Sequence, residues 1–445
     1  MKNPKYFLLA LGIAGGFQVN PAFATNPLIM DQFTADPTAR AFEGRIYVYP
    51  SHDVLARPGR GRPGWFCMED YHVFSSANLT EWKDHGVIVR QTGVEWVDPT
   101  SYSLWAPDCV CKNGKYYFYF PAVARGGGFR IGVAIADQPY GPFEPEPKPI
   151  AGVQGIDPCV LLDTDGSAYL FFSRRRIFVA KLKDNLREPD APPTEVENLP
   201  TKGLLEGPFV FERNGTYYLT YPHVEHARER IEYSVSDHPL GPYQPAGVIL
   251  DESPTGCWTI QHSIVEYQGH WYLFYHDKDL SPTFDKARSI RADRLFFNDD
   301  GTIRQVVRTP RGVGLVAAKS EIQIDRYSAT SGNGVAVSFL DPARTPEGWK
   351  ISLAGTDSWV RFDGVDFGTG VLKSVDVRAV SGPGGAIEIH LDKIDGPLLA
   401  RAEIERGADW KVIRSTADNI PTGVHDLVVT QIGTGSVDLD WIRFE

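Results

Sequence analysis

The stretch TADPTARAFEGRIYVYPSHD, residues 34–53, sets alternating apolar and polar positions on either side of Glu43-Gly44, the pattern of two antiparallel strands joined by a tight turn. It opens on an acid, Asp36, lodged before Pro37. Four later stretches share that layout: WAPDCVCKNGKYYFYF (105–120), IDPCVLLDTDGSAYLFFS (156–173), LEGPFVFERNGTYYLTY (205–221) and IQHSIVEYQGHWYLFY (260–275). Each has a small, polar or proline-bearing entry, an apolar strand, a glycine-containing turn and a second strand rich in Tyr and Phe. The later turns fall at Asn113-Gly114, Asp165-Gly166, Asn214-Gly215 and Gln268-Gly269. The entries fall at Asp36, Ala106, Asp157, Glu206 and Gln261, roughly 50–70 residues apart, which is the span of a four-stranded sheet with its loops.

A β unit of that length used five times predicts an all-β fold, a five-bladed β-propeller with the first strand of each unit innermost and its entry at the mouth of a central channel. Two units also continue alike, as IGVAIADQPYGPF (131–143) and IEYSVSDHPLGPY (231–243), each ending in a strand, a short turn and Gly-Pro-aromatic. Composition agrees: 12% aromatic residues, 43 Gly and 33 Pro favour short strands and tight turns, and no long segment has helical period. At 445 residues the chain is long for one core, so two domains are expected.

Residues 1–24, MKNPKYFLLALGIAGGFQVNPAFA, join Lys2 and Lys5 to a short apolar run and an Ala22-Phe23-Ala24 cleavage pattern. That is a secretory signal, too short to span a bilayer, and it predicts a secreted or periplasmic protein with no membrane span. The net charge of −11 argues against nucleic acid or anionic membrane as partner. Five cysteines, Cys67, Cys109, Cys111, Cys159 and Cys257, leave at least one unpaired, and we read them as buried small hydrophobes without a disulfide framework.

Three of the five entries carry a carboxylate, Asp36, Asp157 and Glu206, and His262 stands one position past a fourth. An isolated Asp before Pro reads as a turn cap. Three acids at one corresponding position around a ring converge and repel, which a protein tolerates mainly where function needs it. Two carboxylates flanking a sugar suffice for glycoside hydrolysis, one as acid and one as base or nucleophile, and a third near the acid helps it keep its proton. A sugar pocket also wants flat aromatic faces. Trp65 and Phe66 tip the Gly/Pro-rich loop RPGRGRPGWFCMED (57–70), and Trp105 and Trp258 precede two of the entries.

The motifs ADPT at Asp36, IDPCV at Asp157, LLEGPFVF at Glu206, WAPD (105–108), QHSIV (261–265) and RSIRADRLFFNDDGTI (288–303) resemble those of glycoside hydrolase family 43, over residues 26 to about 312. The resemblance implies an inverting mechanism, with Asp36 as general base, Glu206 as general acid and Asp157 tuning and orienting that acid. It further implies Arg288 as a substrate-contacting arginine and His262 as a channel histidine that holds water or a calcium ion. The implied activity is exo-acting release of α-L-arabinofuranosyl or β-xylosyl units from plant hemicellulose, with arabinoxylan, arabinan and xylo-oligosaccharides as partners and no cofactor needed for chemistry. An endo-arabinanase of the same fold and a glycan-binding propeller without activity are the alternatives. An invertase-like hydrolase would want Asn and Arg where this chain has Ala35 and Ile156.

After RTPRGVG (308–314) the repeat ends, and short alternating strands with Gly turns predict a β-sandwich of jelly-roll type over 315–445, behind a catalytic domain at 25–314. The segments DSWVRFDGVDFGTG, GAIEIHLDKIDGPLLARAEI, ADWKVI and GVHDLVV resemble a family 6 carbohydrate-binding module. That resemblance implies a structural calcium at Gln323, Asp325 and Asp440 and a sugar-stacking role for Trp410. Asp438 stands where the family has a ligand-binding asparagine.

Overall fold

The structure, a computed structural model, describes residues 25–203, 205–344 and 347–445; the signal segment 1–24 lies outside the described residues. Within the described residues the first part of the chain forms five successive antiparallel sheets. Four have four strands in sequence order and the last has three, His262–Tyr267, His270–Asp277 and Ser289–Leu295. The expected hairpins all form. In four of them both turn residues take positive φ, as at Asn113 (54°) and Gly114 (73°), the twist that two-residue turns need to match paired strands. The hairpin around Asp165-Gly166 is wider, closed by Asp163 N–H to Ser167 O at 2.8 Å.

The first strands of the five sheets, Phe33–Phe42, Asp108–Lys112, Ile156–Leu162, Phe209–Arg213 and His262–Tyr267, touch one another in a closed cycle. Arg40 crosses the middle of this cycle. It donates to both oxygens of Asp108 at 2.7–3.0 Å, and Asp108 Oδ2 accepts the Val160 N–H at 2.6 Å, so one ion pair ties three inner strands. The cycle closes between chain ends: Thr34 N–H binds Arg288 O and Leu28 N–H binds Ile290 O, both at 2.9 Å, and Ser263 Oγ accepts the Ala39 N–H at 2.8 Å. The N-terminal segment thus runs beside Ser289–Leu295, along the open side of the three-stranded sheet.

Residues beyond 315 form two six-stranded antiparallel-rich sheets that enclose one apolar core, with Ile351, Val377, Leu439 and Ile442 from one sheet meeting Val360, Phe362, Ile389 and Leu427 from the other, all fully buried. This is a β-sandwich. Arg311, 2% exposed, stands at the junction and donates to the carbonyls of Asp363 and Gly364. The five cysteines are free thiols, four of them buried.

Candidate active site

Asp36 and Asp157 share an unusual local geometry. Each Asp-Pro pair, Asp36-Pro37 and Asp157-Pro158, lies opposite a single partner residue, a β-bulge at the head of an inner strand. Both aspartates have left-handed φ, 47° and 54°, which a short polar side chain tolerates better than most. The bulge turns both carboxylates out of the sheet and into one pocket. That pocket, about 220 Å³, is lined by Asp36, Asp157, Glu206, Trp65, Phe66, Trp105, Trp258 and Arg288, together with Glu229 and Gln261.

Glu206 arrives on a different device. Gly207 has φ +57°, and a Cβ there would stand 1.9 Å from Gln261 Oε1, so only glycine lets the chain turn so close to the neighbouring entry. The Gly207 N–H donates to Asp157 Oδ2 at 3.1 Å. Asp157 therefore holds the backbone that carries Glu206.

Charge is shared unevenly among the three acids. Arg288, 3% exposed, donates to Asp36 Oδ1 at 2.7 Å and Oδ2 at 3.2 Å, and to Asp53 at 2.9 and 3.0 Å. With four guanidinium contacts spent on these acids, Arg288 acts first as the counter-charge of Asp36, and a single N–H remains for a sugar hydroxyl. Burial pushes Asp157 well above the usual carboxylate range, helped by the charges of Glu206 and Asp36. Burial also raises Glu206, with Asp36 adding to it, while a hydrogen bond from Glu229 and the charge of Arg288 pull the other way. A carboxylate paired with a cation thus faces a carboxyl group that favours its proton.

The aromatic residues form a rim. Trp65, Phe66 and Trp105 touch edge to face in series, at 5.5 and 6.1 Å between ring centres, and the Arg288 guanidinium lies 4.8 Å from the Phe66 ring. Trp258 and Trp65 are the exposed members, 39% and 43%.

His262 does not line the pocket; it lies behind it, 1% exposed. Thr220 Oγ1 donates to Phe209 O at 3.0 Å, so the 2.6 Å contact between Thr220 and His262 Nε2 has the imidazole as donor. Its Nδ1 is then a buried acceptor with no protein partner, a place for a water O–H to point. Calcium takes six to eight oxygen ligands, and the trios of His, Asp and Glu that gather among the described residues, His52–Asp70–His72 and His223–Glu225–Glu232, leave His262 out. The protein groups there do not make a calcium cage. In the sandwich, Asp440 accepts a hydrogen bond from Arg378, whose guanidinium also covers the Trp410 ring at 5.3 Å. Asp325 is near enough to Asp440 to raise its pKa, after burial. The oxygen donors suit calcium, but Arg378 fills the place of the cation, and one face of Trp410 is already taken.

Beyond Asp53, two residues of the site are absent from the sequence reading. His276 Nδ1 accepts the Asp36 N–H at 3.1 Å while Nε2 donates to Thr259 O at 3.0 Å. Burial lowers its pKa to about 3, so it is neutral, and its 3.4 Å approach to Asp36 Oδ1 is a backbone-fixing contact and not an ion pair. Glu229 is the second. Its sequence surroundings, EHARERIEY (225–233), look like a charged surface loop, yet Glu229, Ile231 and Tyr233 alternate inward on one strand; that parity is the signal that would have found it.

Residues 24–303 match the model of glycosyl hydrolases family 43, and residues 327–445 that of the carbohydrate binding module of family 6. Xylosidase/arabinosidase 43A of Humicola insolens is 38% identical over 62% of this chain and 98% of its own length. An arabinoxylan arabinofuranohydrolase of Bacillus subtilis is 28% identical over 93% of this chain and 90% of its own. Among solved structures, a β-xylosidase/α-arabinofuranosidase from a compost microbial metagenome, in complex with xylotriose and calcium-free, superposes with TM-score 0.58 at 35% identity, covering 64% of this chain and 98% of that one. With its three acids converging in one pocket and a carbohydrate-binding module behind them, the chain belongs to glycosyl hydrolase family 43.

Proposed function

We propose that this glycoside hydrolase is an inverting, exo-acting enzyme that releases terminal α-L-arabinofuranosyl or β-xylosyl units from arabinoxylan, arabinan or xylo-oligosaccharides. The observation that carries the reading is the asymmetry of the acids: Asp36 is ion-paired with Arg288, and Glu206 lies where burial and a neighbouring charge favour the protonated form. Asp36 takes a proton from water as the water oxygen attacks the anomeric carbon. Glu206 gives its proton to the leaving oxygen, which keeps the electron pair of the broken C–O bond. Asp157 holds the Gly207 N–H and so aims the acid. A small pocket with a tall aromatic rim suits one terminal sugar better than a continuous chain, and sugar faces stack on Trp65 and Trp258.

In the same reading the five sheets are the blades of a propeller, residues 25–314 are its domain, and 315–445 form a sandwich that keeps the enzyme on its polysaccharide. Residues 1–24 direct export to the periplasm or outside the cell. Calcium plays no part in the chemistry, and in the sandwich it would have to displace Arg378 from Asp440.

Release of sugar from aryl arabinofuranoside and aryl xyloside, with Glu206→Gln as control, tests the function; a wild-type rate no higher than the variant's sinks it. Proton NMR of the first sugar released tests inversion, and a retained anomer rejects the roles of Asp36 and Glu206.

A further inference from the structure

Glu229 opens the strand Glu229–Ser236 of the fourth sheet and lines the pocket beside Glu206, 2% exposed. Its Oε2 accepts the Ile260 N–H at 2.7 Å, and its own N–H donates to Trp258 O at 3.2 Å, so both ends of the residue are fastened to the segment that carries Trp258. Its Oε1 is buried without a conventional donor. The group within hydrogen-bond reach is a second carboxyl, that of Glu206. Two buried carboxyl groups in contact need a proton between them. Arg288 cannot play that part, since it is committed to Asp36 and Asp53.

We infer that Glu229 is a positioning residue of the reaction, a neutral carboxylic acid that donates one hydrogen bond to Glu206, aims it at the leaving oxygen and stabilises its carboxylate once the proton has gone. This rests on the assignment of Glu206 as the acid. Burial and the neighbouring charge of Glu206 push the Glu229 carboxyl well above its ordinary range, in keeping with a held proton. The other charged groups that face the pair are Asp157 from the third sheet, and Asp36 and Arg288 from the first and fifth. The pair begins with two protons and ends with one: Glu206 loses its proton to the leaving oxygen, Glu229 keeps its own, and solvent restores the balance as Asp36 releases the proton taken from water.

The test compares Glu229→Met with Glu229→Gln, whose amide can both accept from Ile260 and donate to Glu206. Removing one donor aimed at a developing oxyanion costs about 100-fold. Glu229→Met should lower kcat/KM about that much for xylobiose, far less for a dinitrophenyl glycoside whose leaving group needs no proton, and should move the alkaline limb of the pH profile upward. Glu229→Gln should restore most of the rate and the wild-type limb. A Gln variant as impaired as Met, or a Met variant with equal losses on both leaving groups and an unmoved limb, overturns the inference. Should neither variant fold, infrared spectra of wild type labelled with carboxyl-¹³C glutamate decide: two protonated glutamic acids at pH 7, one for each member of the pair, support it, and fewer than two overturn it. A wild type inert on both aryl glycosides overturns the glycosidase reading itself, whereas an active wild type with the wrong variant pattern overturns the role of Glu229 alone.

Discussion

Replacing Arg288 with methionine keeps most of the side-chain volume and removes the cation shared by Asp36 and Asp53. These carboxylates, 6% and 1% exposed, are then buried without their counter-charge. Breaking a buried ion pair from one side costs about 3–5 kcal/mol, and because a single guanidinium here serves two acids the upper half of that range applies. A unit of this size loses about 2 °C in Tm per kcal/mol, so calorimetry should show a drop of about 8–10 °C. The rate should fall about 100-fold or more, since Asp36, the base of the proposed mechanism, loses the group that aims it. The second variant, Arg288→Met with Asp53→Asn, removes one of the two orphaned charges. It should recover about half of the Tm loss while activity stays low, because Asp36 remains unaccompanied. A Tm drop under about 2 °C for the single variant, or recovered activity in the double variant, would refute the reasoning.

Gly207→Ala must carry φ +57° on a residue with a Cβ and push Gln261 aside, so kcat should fall about 100-fold with little change in overall secondary structure by circular dichroism. His262 is buried and neutral, its pKa lowered from 6.5 to about 3 by burial, so the unfolded state binds a proton the folded state refuses once pH drops below 6.5. This stabilises the fold at neutral pH relative to acid, and His262→Gln should flatten the loss of stability between pH 6 and 4 by up to about 1.4 kcal/mol per pH unit in urea titrations. Arg40→Met leaves Asp108 uncompensated among three inner strands and should cost about 3–5 kcal/mol, which Asp108→Asn in the same chain should partly return; additive losses would show that the two groups do not work as a pair.

The hairpins were legible because their turns are local: a glycine after Asn113 or Asn214 supplies positive φ wherever it stands, and the aromatic strands that follow keep their register. Asp36, Asp157 and Glu206 were legible because they recur at one position of a repeat. Their partners were not. Asp53 ends a strand as PSHD, and His276 is the last residue but one of another, FYHD, in stretches buried on both faces where alternation carries no information. Arg288 was found as a residue of the site, able to clamp a sugar or to hold an acid ionised, but which acid it serves was not legible, because that acid lies 252 positions away. The dual use of Arg378, on Asp440 and over Trp410, likewise comes from three strands distant in sequence pairing in one sheet, and has no trace along the strand.

The closure of the ring has a bearing on when the enzyme comes into being. Asp36 takes its backbone partner from His276 and its cation from Arg288, 240 and 252 residues downstream, while all three acids precede residue 207. A nascent chain that has reached the fourth sheet therefore carries every acid and none of the lock. Translation must pass Arg288 before the first strand can be aimed, so a truncated product would keep the full set of acids and still be inert: competence arrives in one step with the last sheet.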